Sequence, residues 1–304
     1  MTPATTTDAP LRTAPALRDA AAGDLGLIVL PGVVWGASFL FIAEGLKAVG
    51  PHGVAFSRIL AGFVTLLLFP AARGPIARDA WPRIALLSVF WMAIPLTLFP
   101  YAEQRVSTAV AGMLNGAVPL IATIVAALIA RTLPSRGVMV GLAVGLSGVL
   151  MVALPNLSAG GASMDGVWLV LIAITLYGIA INVARPLQQK YGALPVLARA
   201  LGLAALITAP LGVPEVIHGH WTLGPFLSLL ALGSLGTGIA YVLSTVASGK
   251  FGATRASAAI FITSPVALLL GVLVLHERIE AVSIVGAMAC IAGALLIRRQ
   301  DPKG

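Results

Sequence analysis

Residues 107–119 read STAVAGMLNGAVP, and residues 253–265 read ATRASAAIFITSP. Thr108 falls on Thr254 and Pro119 on Pro265. Each stretch runs on into a segment of spaced glycines, GLAVGLSGVL at 141–150 and GAMACIAGALL at 286–296, where Gly141 matches Gly286 and Gly148 matches Gly293. Upstream, Trp35-Gly36 pairs with Tyr177-Gly178, and Arg58, twelve residues before Pro70, pairs with Arg199, eleven before Pro210. Residue by residue the match is weak, but its order along the chain is kept. It divides the chain into two similar halves, 26–154 and 164–297. Internal repetition of this kind decides the architecture before any single motif does.

The halves are built from apolar runs. Of the 304 residues, 59% are hydrophobic and 10% charged, against about 25% charged in an ordinary soluble domain. So few charges cannot cover a soluble globule, and lipid is the alternative surroundings. A membrane-spanning helix needs about 20 mostly apolar residues. Ten such runs are read at 26–45, 53–70, 83–101, 107–130, 137–154, 164–184, 193–211, 223–246, 255–275 and 281–297. The third and fourth are divided by Glu103-Gln104-Arg105, and the eighth and ninth by Ser248 to Gly252. Five spans per half is an odd number, so the halves must lie in opposite orientations, the inverted-repeat plan of secondary transporters. The expected fold is therefore an all-α polytopic membrane protein of ten transmembrane helices in two inverted five-helix repeats. Residues 25–154 form the first repeat and 155–298 the second. Residues 1–24, rich in Ala, Thr and Pro, read as a disordered cytoplasmic tail without a signal peptide, and 299–304 as a second tail.

Counting basic residues orients the bundle. With the N-terminus inside, fourteen of the 19 Lys and Arg fall on the cytoplasmic side and three, Lys47, Arg105 and Arg278, outside; Arg58 and Arg199 lie within spans. Both termini are then cytoplasmic. The net charge of +8 comes from basic residues scattered in ones and twos, with no stripe for nucleic acid. The lone Cys290 offers no disulfide or thiolate metal site within one chain. No phosphate-binding loop, metalloprotease or nucleophile-elbow pattern occurs. No cofactor and no metal is expected, and the chain reads as a non-enzyme.

Polar and aromatic residues inside spans are the candidates for a substrate cavity. Arg58 and Arg199 lie about 9 Å deep, where an Arg snorkels, pairs or faces water. Attraction for a substrate carboxylate or locking of a gate stands beside a structural role for both. Asn115 and Asn182 need partners in hydrocarbon, either across helices or in a cavity. Trp35 and Ser38 share one face of the first span, and Tyr241 lies four residues from Thr237; Tyr177 is the mate of Trp35. With Trp91 and Phe99 they offer rings and polar tips to a small amphipathic solute, although aromatic packing is the competing account. Pro95, Pro119 and Pro265 sit inside spans and permit bends or hinges. Glu44 and Glu103 are the candidates for proton coupling, with a surface pair between Glu44 and Lys47 as the plainer reading. No Asp or Glu lies at the middle of a span.

These residues resemble the drug/metabolite transporter superfamily, in particular its EamA-domain branch, over about 26–298. The resemblance rests on Trp35-Gly36-Ala37-Ser38, on Pro51 with Arg58, on Ser107-Thr108 to Pro119, and on Ser264-Pro265, Leu275-His276-Glu277-Arg278-Ile279 and Gly286 through Gly293. The first half departs from this pattern: Arg131 is read as the match of Glu277, so the paired acid is missing there, and Glu277 is read as a structural cap. The resemblance implies a cavity formed by spans 1–4 and 6–9, with spans 5 and 10 at the periphery. It also implies a bacterial inner membrane and a function similar to that of bacterial amino-acid exporters.

The leading expectation is an exporter or uniporter of small amphipathic metabolites, neutral or aromatic amino acids foremost, working by alternating access. A proton-coupled multidrug or metabolite antiporter is the alternative within transport. A non-transporting structural or interaction protein is the alternative outside it. The expected partners are a small-molecule substrate and the lipid bilayer, with no nucleic acid, and the chain is a monomer or weak homo-oligomer.

Overall fold

The computed structural model describes residues 22–158, 161–251 and 259–300. Most of the expected tail at 1–24, the end of the tail at 299–304, and Thr254 and Arg255 lie outside the described residues. The described residues form helices joined by turns and loops, without strands. Seven helices are long and apolar enough to cross a membrane, from Leu25–Gly45 to Leu223–Phe251, and three shorter apolar helices cover Pro51–Leu67, Ala259–Leu273 and Ala281–Ile297. Their outer surface is apolar, with Leu128 71% and Leu206 72% exposed, as lipid contact requires.

In chain order the helices are α1 (Ala22–Gly45), α2 (Pro51–Leu67), α3 (Trp81–Leu87), α4 (Ile94–Glu103), α5 (Thr108–Asn115), α6 (Val118–Ala130) and α7 (Arg136–Ser158). There follow α8 (Gly161–Tyr191), α9 (Ala193–Ile217), α10 (Leu223–Ala231), α11 (Ala240–Phe251), α12 (Ala259–Leu273) and α13 (Ala281–Gln300). A π-helical turn, Ser88–Ala93, joins α3 to α4, and another, Leu232–Ile239, joins α10 to α11. The expected turn at Glu103-Gln104-Arg105 is present: α4 ends at Glu103, and Ser107 caps α5 by accepting from Val110 N–H at 3.3 Å. The eighth run extends further than read, because Ser248 to Phe251 are helical in α11.

Pro119 sits in the first turn of α6, just past the break at Gly116-Ala117, where its missing N–H leaves no helical bond unmade. Pro95 likewise begins α4 after the π turn, whereas Pro265 lies inside α12.

The most extensive helix pair is α7 against α13, and glycine decides it. A Cβ on Gly148 would stand 2.5 Å from the carbonyl oxygen of Gly286, and one on Gly286 would stand 2.7 Å from that of Gly148. Small residues let backbones approach this closely in a lipid-facing pair. A second contact occurs twice, with the halves exchanged. Gly36 of α1 packs on Thr263 and Val266 of α12, and Gly178 of α8 packs on Ile121 and Ala122 of α6. Similarly, α2 packs on the π turn Leu232–Ile239 while α9 packs on the π turn Ser88–Ala93, and α2 and α9 pack on each other.

Among the described residues two non-glycine residues adopt the left-handed region, Arg131 (φ 51°) and His276 (φ 54°). Arg131 directly follows α6, and His276 lies in the loop between α12 and α13.

Candidate functional site

A cavity of about 220 Å³ lies where α1, α2, α4, α5, α6, α8, α11 and α12 meet, together with the Ser88–Ala93 π turn. Its wall brings together Trp35, Ser38, Arg58, Trp91, Phe99, Asn115, Tyr177 and Tyr241, all expected from the sequence. Phe39, Ile42, Val118, Ile181, Ile260 and Thr263 complete it. Larger apolar grooves exist on the outside of the bundle, one of about 610 Å³ between α2 and α10, but their walls face the lipid side.

The rings form two sets, one centred on Tyr241 and one on Phe99. Trp35 and Trp91 each meet Tyr241 edge to face, at centroid distances of 5.4 and 6.0 Å. Phe99 contacts Phe39 at 5.7 Å and Tyr177 at 5.9 Å. Trp35 is further fixed by a hydrogen bond from its Nε1 to the carbonyl oxygen of Gly236, 2.9 Å away in the second π turn. Ser38 turns its hydroxyl back to the Val34 carbonyl at 3.0 Å.

Arg58 is the one cation in the wall. Its Nε donates to Thr237 Oγ1 at 3.0 Å, and Thr237 is itself buried behind it. Among the described residues the ion pairs are Lys47–Glu44 and Lys190–Asp79, so no carboxylate lies within ion-pair distance of Arg58, although the charge of Glu103 reaches it at longer range. A half-buried guanidinium anchored through one nitrogen keeps the rest of its N–H fork available, in a residue that lines the cavity. Such a fork matches a carboxylate by charge-assisted, bidentate bonding.

Three expected wall residues lie elsewhere. Thr237 positions Arg58 without lining the cavity. Asn182 spends its amide on the carbonyls of Ala122 (3.0 Å) and Gly178 (2.8 Å), a bond between α8 and α6. Arg199 donates to the carbonyls of Ala72 (2.5 Å) and Arg73 (3.3 Å), which close the end of α2 against α9. The two matched arginines therefore do different work.

The acidic residues sit at helix ends. Glu44 pairs with Lys47 at 2.5 Å, at a partly exposed position. Glu277 reaches from the loop before α13 to the start of α5, where its two oxygens accept from the N–H groups of Thr108 (2.7 Å) and Ala109 (2.9 Å). Glu103 stands beside it: Thr108 Oγ1 donates to its Oε2 at 3.3 Å, and its Oε1 is buried without a hydrogen-bond partner. Glu215 accepts from Gly53 N–H at 2.6 Å in the first turn of α2. Carboxylates at helix N-termini satisfy free N–H groups and oppose the helix dipole.

Two stretches of the chain, residues 23–154 and 164–299, match the EamA-like transporter family. A probable terminal-alkyne amino-acid exporter of Streptantibioticus cattleyicolor is 29% identical over 280 residues, spanning 90% of this chain and 92% of that protein. The uncharacterized transporter YdfC of Bacillus subtilis is 27% identical over 267 residues, 86% of each chain. The uncharacterized inner membrane transporter YedA of Escherichia coli K12 is 26% identical over 252 residues, 79% of this chain and 78% of that one. A solved crystal structure superposes with a TM-score of 0.61 at 16% identity, covering 91% of this chain and 96% of the other, which extends the likeness to the fold. With nearly the whole chain covered by two consecutive matches to the same family, one in each half, the protein belongs to the EamA-like transporter family.

Proposed function

We propose that this protein carries small amphipathic amino acids, neutral or aromatic, across a bacterial inner membrane by alternating access. The observation that carries the reading is Arg58: a guanidinium without an ion-pair partner among the described residues, in the wall of an aromatic cavity that both halves build. A substrate carboxylate takes the guanidinium fork. Its ammonium group lies against ring faces, and its apolar side chain against Phe39, Ile42 and Ile260. A volume of about 220 Å³ falls below the ~300–1,000 Å³ of drug-sized sites. That size favours a single small metabolite over a multidrug substrate.

The proposed architecture is ten spans in two inverted five-helix repeats, with both termini cytoplasmic. It is supported by the two consecutive family matches and by the exchanged contacts of Gly36 and Gly178. Two similar halves in opposite orientation have two nearly equivalent packings, one open to each side. Without an energy source the carrier moves substrate down its gradient, so a producing cell exports.

Proton-coupled antiport is a second reading, favoured by the unpartnered Oε1 of Glu103. Counterflow in liposomes separates the two. Vesicles preloaded with a neutral amino acid and given the labelled compound outside should accumulate label with no pH gradient. Accumulation that appears only with an imposed gradient, and is lost in Glu103→Gln, would replace uniport by antiport. Lack of counterflow for every neutral and aromatic amino acid, from protein with an intact melting transition, would overturn the substrate class.

A further inference from the structure

Outside the cavity, one groove combines apolar walls with uncompensated charge. It is about 420 Å³ and runs along α2 and α9 beneath the segment that follows α2. Phe63, Leu203 and Leu206 line its length, and Arg73, Arg199 and Trp81 stand at its end. The groove is deep because Gly202 has no side chain: a Cβ there would stand 3.0 Å from the Phe63 ring. Arg199 is held by the carbonyls of Ala72 and Arg73, and Arg73 by the carbonyl of Leu67 at 2.6 and 3.0 Å.

Carbonyls orient these guanidiniums without cancelling their charge. Among the described residues neither has a carboxylate ion-pair partner; Asp79, in the same segment, lies 4.0 Å from Lys190. Arg78, Arg83 and Lys190 add further positive charge nearby. Two fixed cations at the mouth of an apolar slot on the lipid-facing surface select a molecule with an anionic head and a hydrocarbon tail. An indole at that level is typical of the membrane–water interface.

We propose that this groove is a binding site for an anionic phospholipid of the cytoplasmic leaflet. The phosphate lies between Arg73 and Arg199, and one acyl chain lies along Phe63, Leu203 and Leu206. The site rests on the reading above only in taking this end of the bundle as cytoplasmic. It is separate from the transport cavity, with which it shares no lining residue.

The test is lipid binding to the purified full-length protein in a neutral detergent, followed by native mass spectrometry and by melting. The probes are phosphatidylglycerol, phosphatidylcholine with the same acyl chains, and inorganic phosphate. Phosphatidylglycerol should bind and raise the melting temperature, while phosphatidylcholine and phosphate should not. Arg73→Gln, at an exposed position, should weaken phosphatidylglycerol binding about five-fold, and the double change with Arg199→Gln about 25-fold, with the melting transition of each variant without lipid as the check on folding. Leu206→Trp, which fills the slot and leaves both charges, should also weaken it.

Equal binding of the two lipids would overturn the proposal, as would phosphatidylglycerol binding indifferent to Arg73→Gln. Stabilisation by phosphate alone would reduce the site to an anion site with no lipid in it. None of these readouts involves transport, so a failure here leaves the amino-acid reading intact, and loss of transport leaves the lipid site standing.

Discussion

Replacing Glu277 by Gln tests how the two halves are tied together. The carboxylate belongs to the second half and accepts from Thr108 and Ala109 N–H, in the first half, at 2.7 and 2.9 Å. Each is a hydrogen bond to a charged group, worth about 1.5–3 kcal/mol net. Gln keeps one acceptor and turns an NH2 toward the other N–H. One bond is therefore lost, the other loses its charge, and the helix dipole of α5 loses its counter-charge, together about 2–4 kcal/mol. For a chain of this size that is about 3–6 °C in melting temperature. Glu277→Ala leaves both N–H groups unsatisfied and should cost more.

Gly271 supplies the cross-check. A Cβ there would stand 2.5 Å from Glu277 Oε2, so Gly271→Ala pushes the carboxylate off its cap. The double variant should then be less destabilised than the sum of the two single ones, because both remove one contact. The assay is thermal unfolding of detergent-solubilised protein, followed by tryptophan fluorescence. Melting of Glu277→Gln and Glu277→Ala within about 1 °C of the parent would refute the reasoning.

Three further outcomes follow from the packing and the cavity wall. Gly148→Leu or Gly286→Leu should abolish or sharply reduce folded yield, since a side chain at either position meets the partner backbone and overpacking costs at least about 1–3 kcal/mol. Gly224→Ala, with nothing within 4 Å of the added carbon, should change stability by less than about 1 kcal/mol; both sets are read by fluorescence-detected size exclusion and melting. Trp35→Phe removes the Nε1 bond to Gly236 and should cost about 1 kcal/mol of stability together with a measurable rise in KM for transport. A Trp35→Phe KM equal to the parent's would take that ring out of the binding wall.

Much of this arrangement is legible in the sequence because lipid and repetition both leave strong patterns there. The apolar runs mark the helices, and paired prolines and glycines mark the halves. Polar residues deep in a span stand out against hydrocarbon, which is why Arg58, Asn115 and the ring set were recognisable as candidates. Sequence could not separate a polar residue facing a cavity from one bonded to the next helix. Asn182 and Arg199 carry the same signal as Asn115 and Arg58, yet backbone carbonyls of neighbouring helices take up their donors. Nor do Phe39, Ile42 or Ile260 differ in sequence from any buried apolar residue. The two π turns depend on tertiary packing and leave no periodic trace, although Trp91 and Thr237 both sit on them. Glu277 reads as a cap from its family-like pattern. Its partners, Thr108 and Ala109, lie nearly 170 residues away, beyond the reach of local spacing.

In the proposed transport cycle Arg58 is the receptor for the substrate carboxylate, and no other residue in the cavity wall carries a positive charge. Flux of a labelled aromatic amino acid into proteoliposomes, compared with flux of its uncharged-terminus amide, tests that directly in the parent protein and in Arg58→Gln. The parent should carry the acid and discriminate against the amide. Arg58→Gln should lose about 30-fold or more of the acid flux at low substrate, keep its melting transition, and no longer distinguish the two compounds. Acid flux in Arg58→Gln equal to that of the parent, with discrimination against the amide retained, would contradict it.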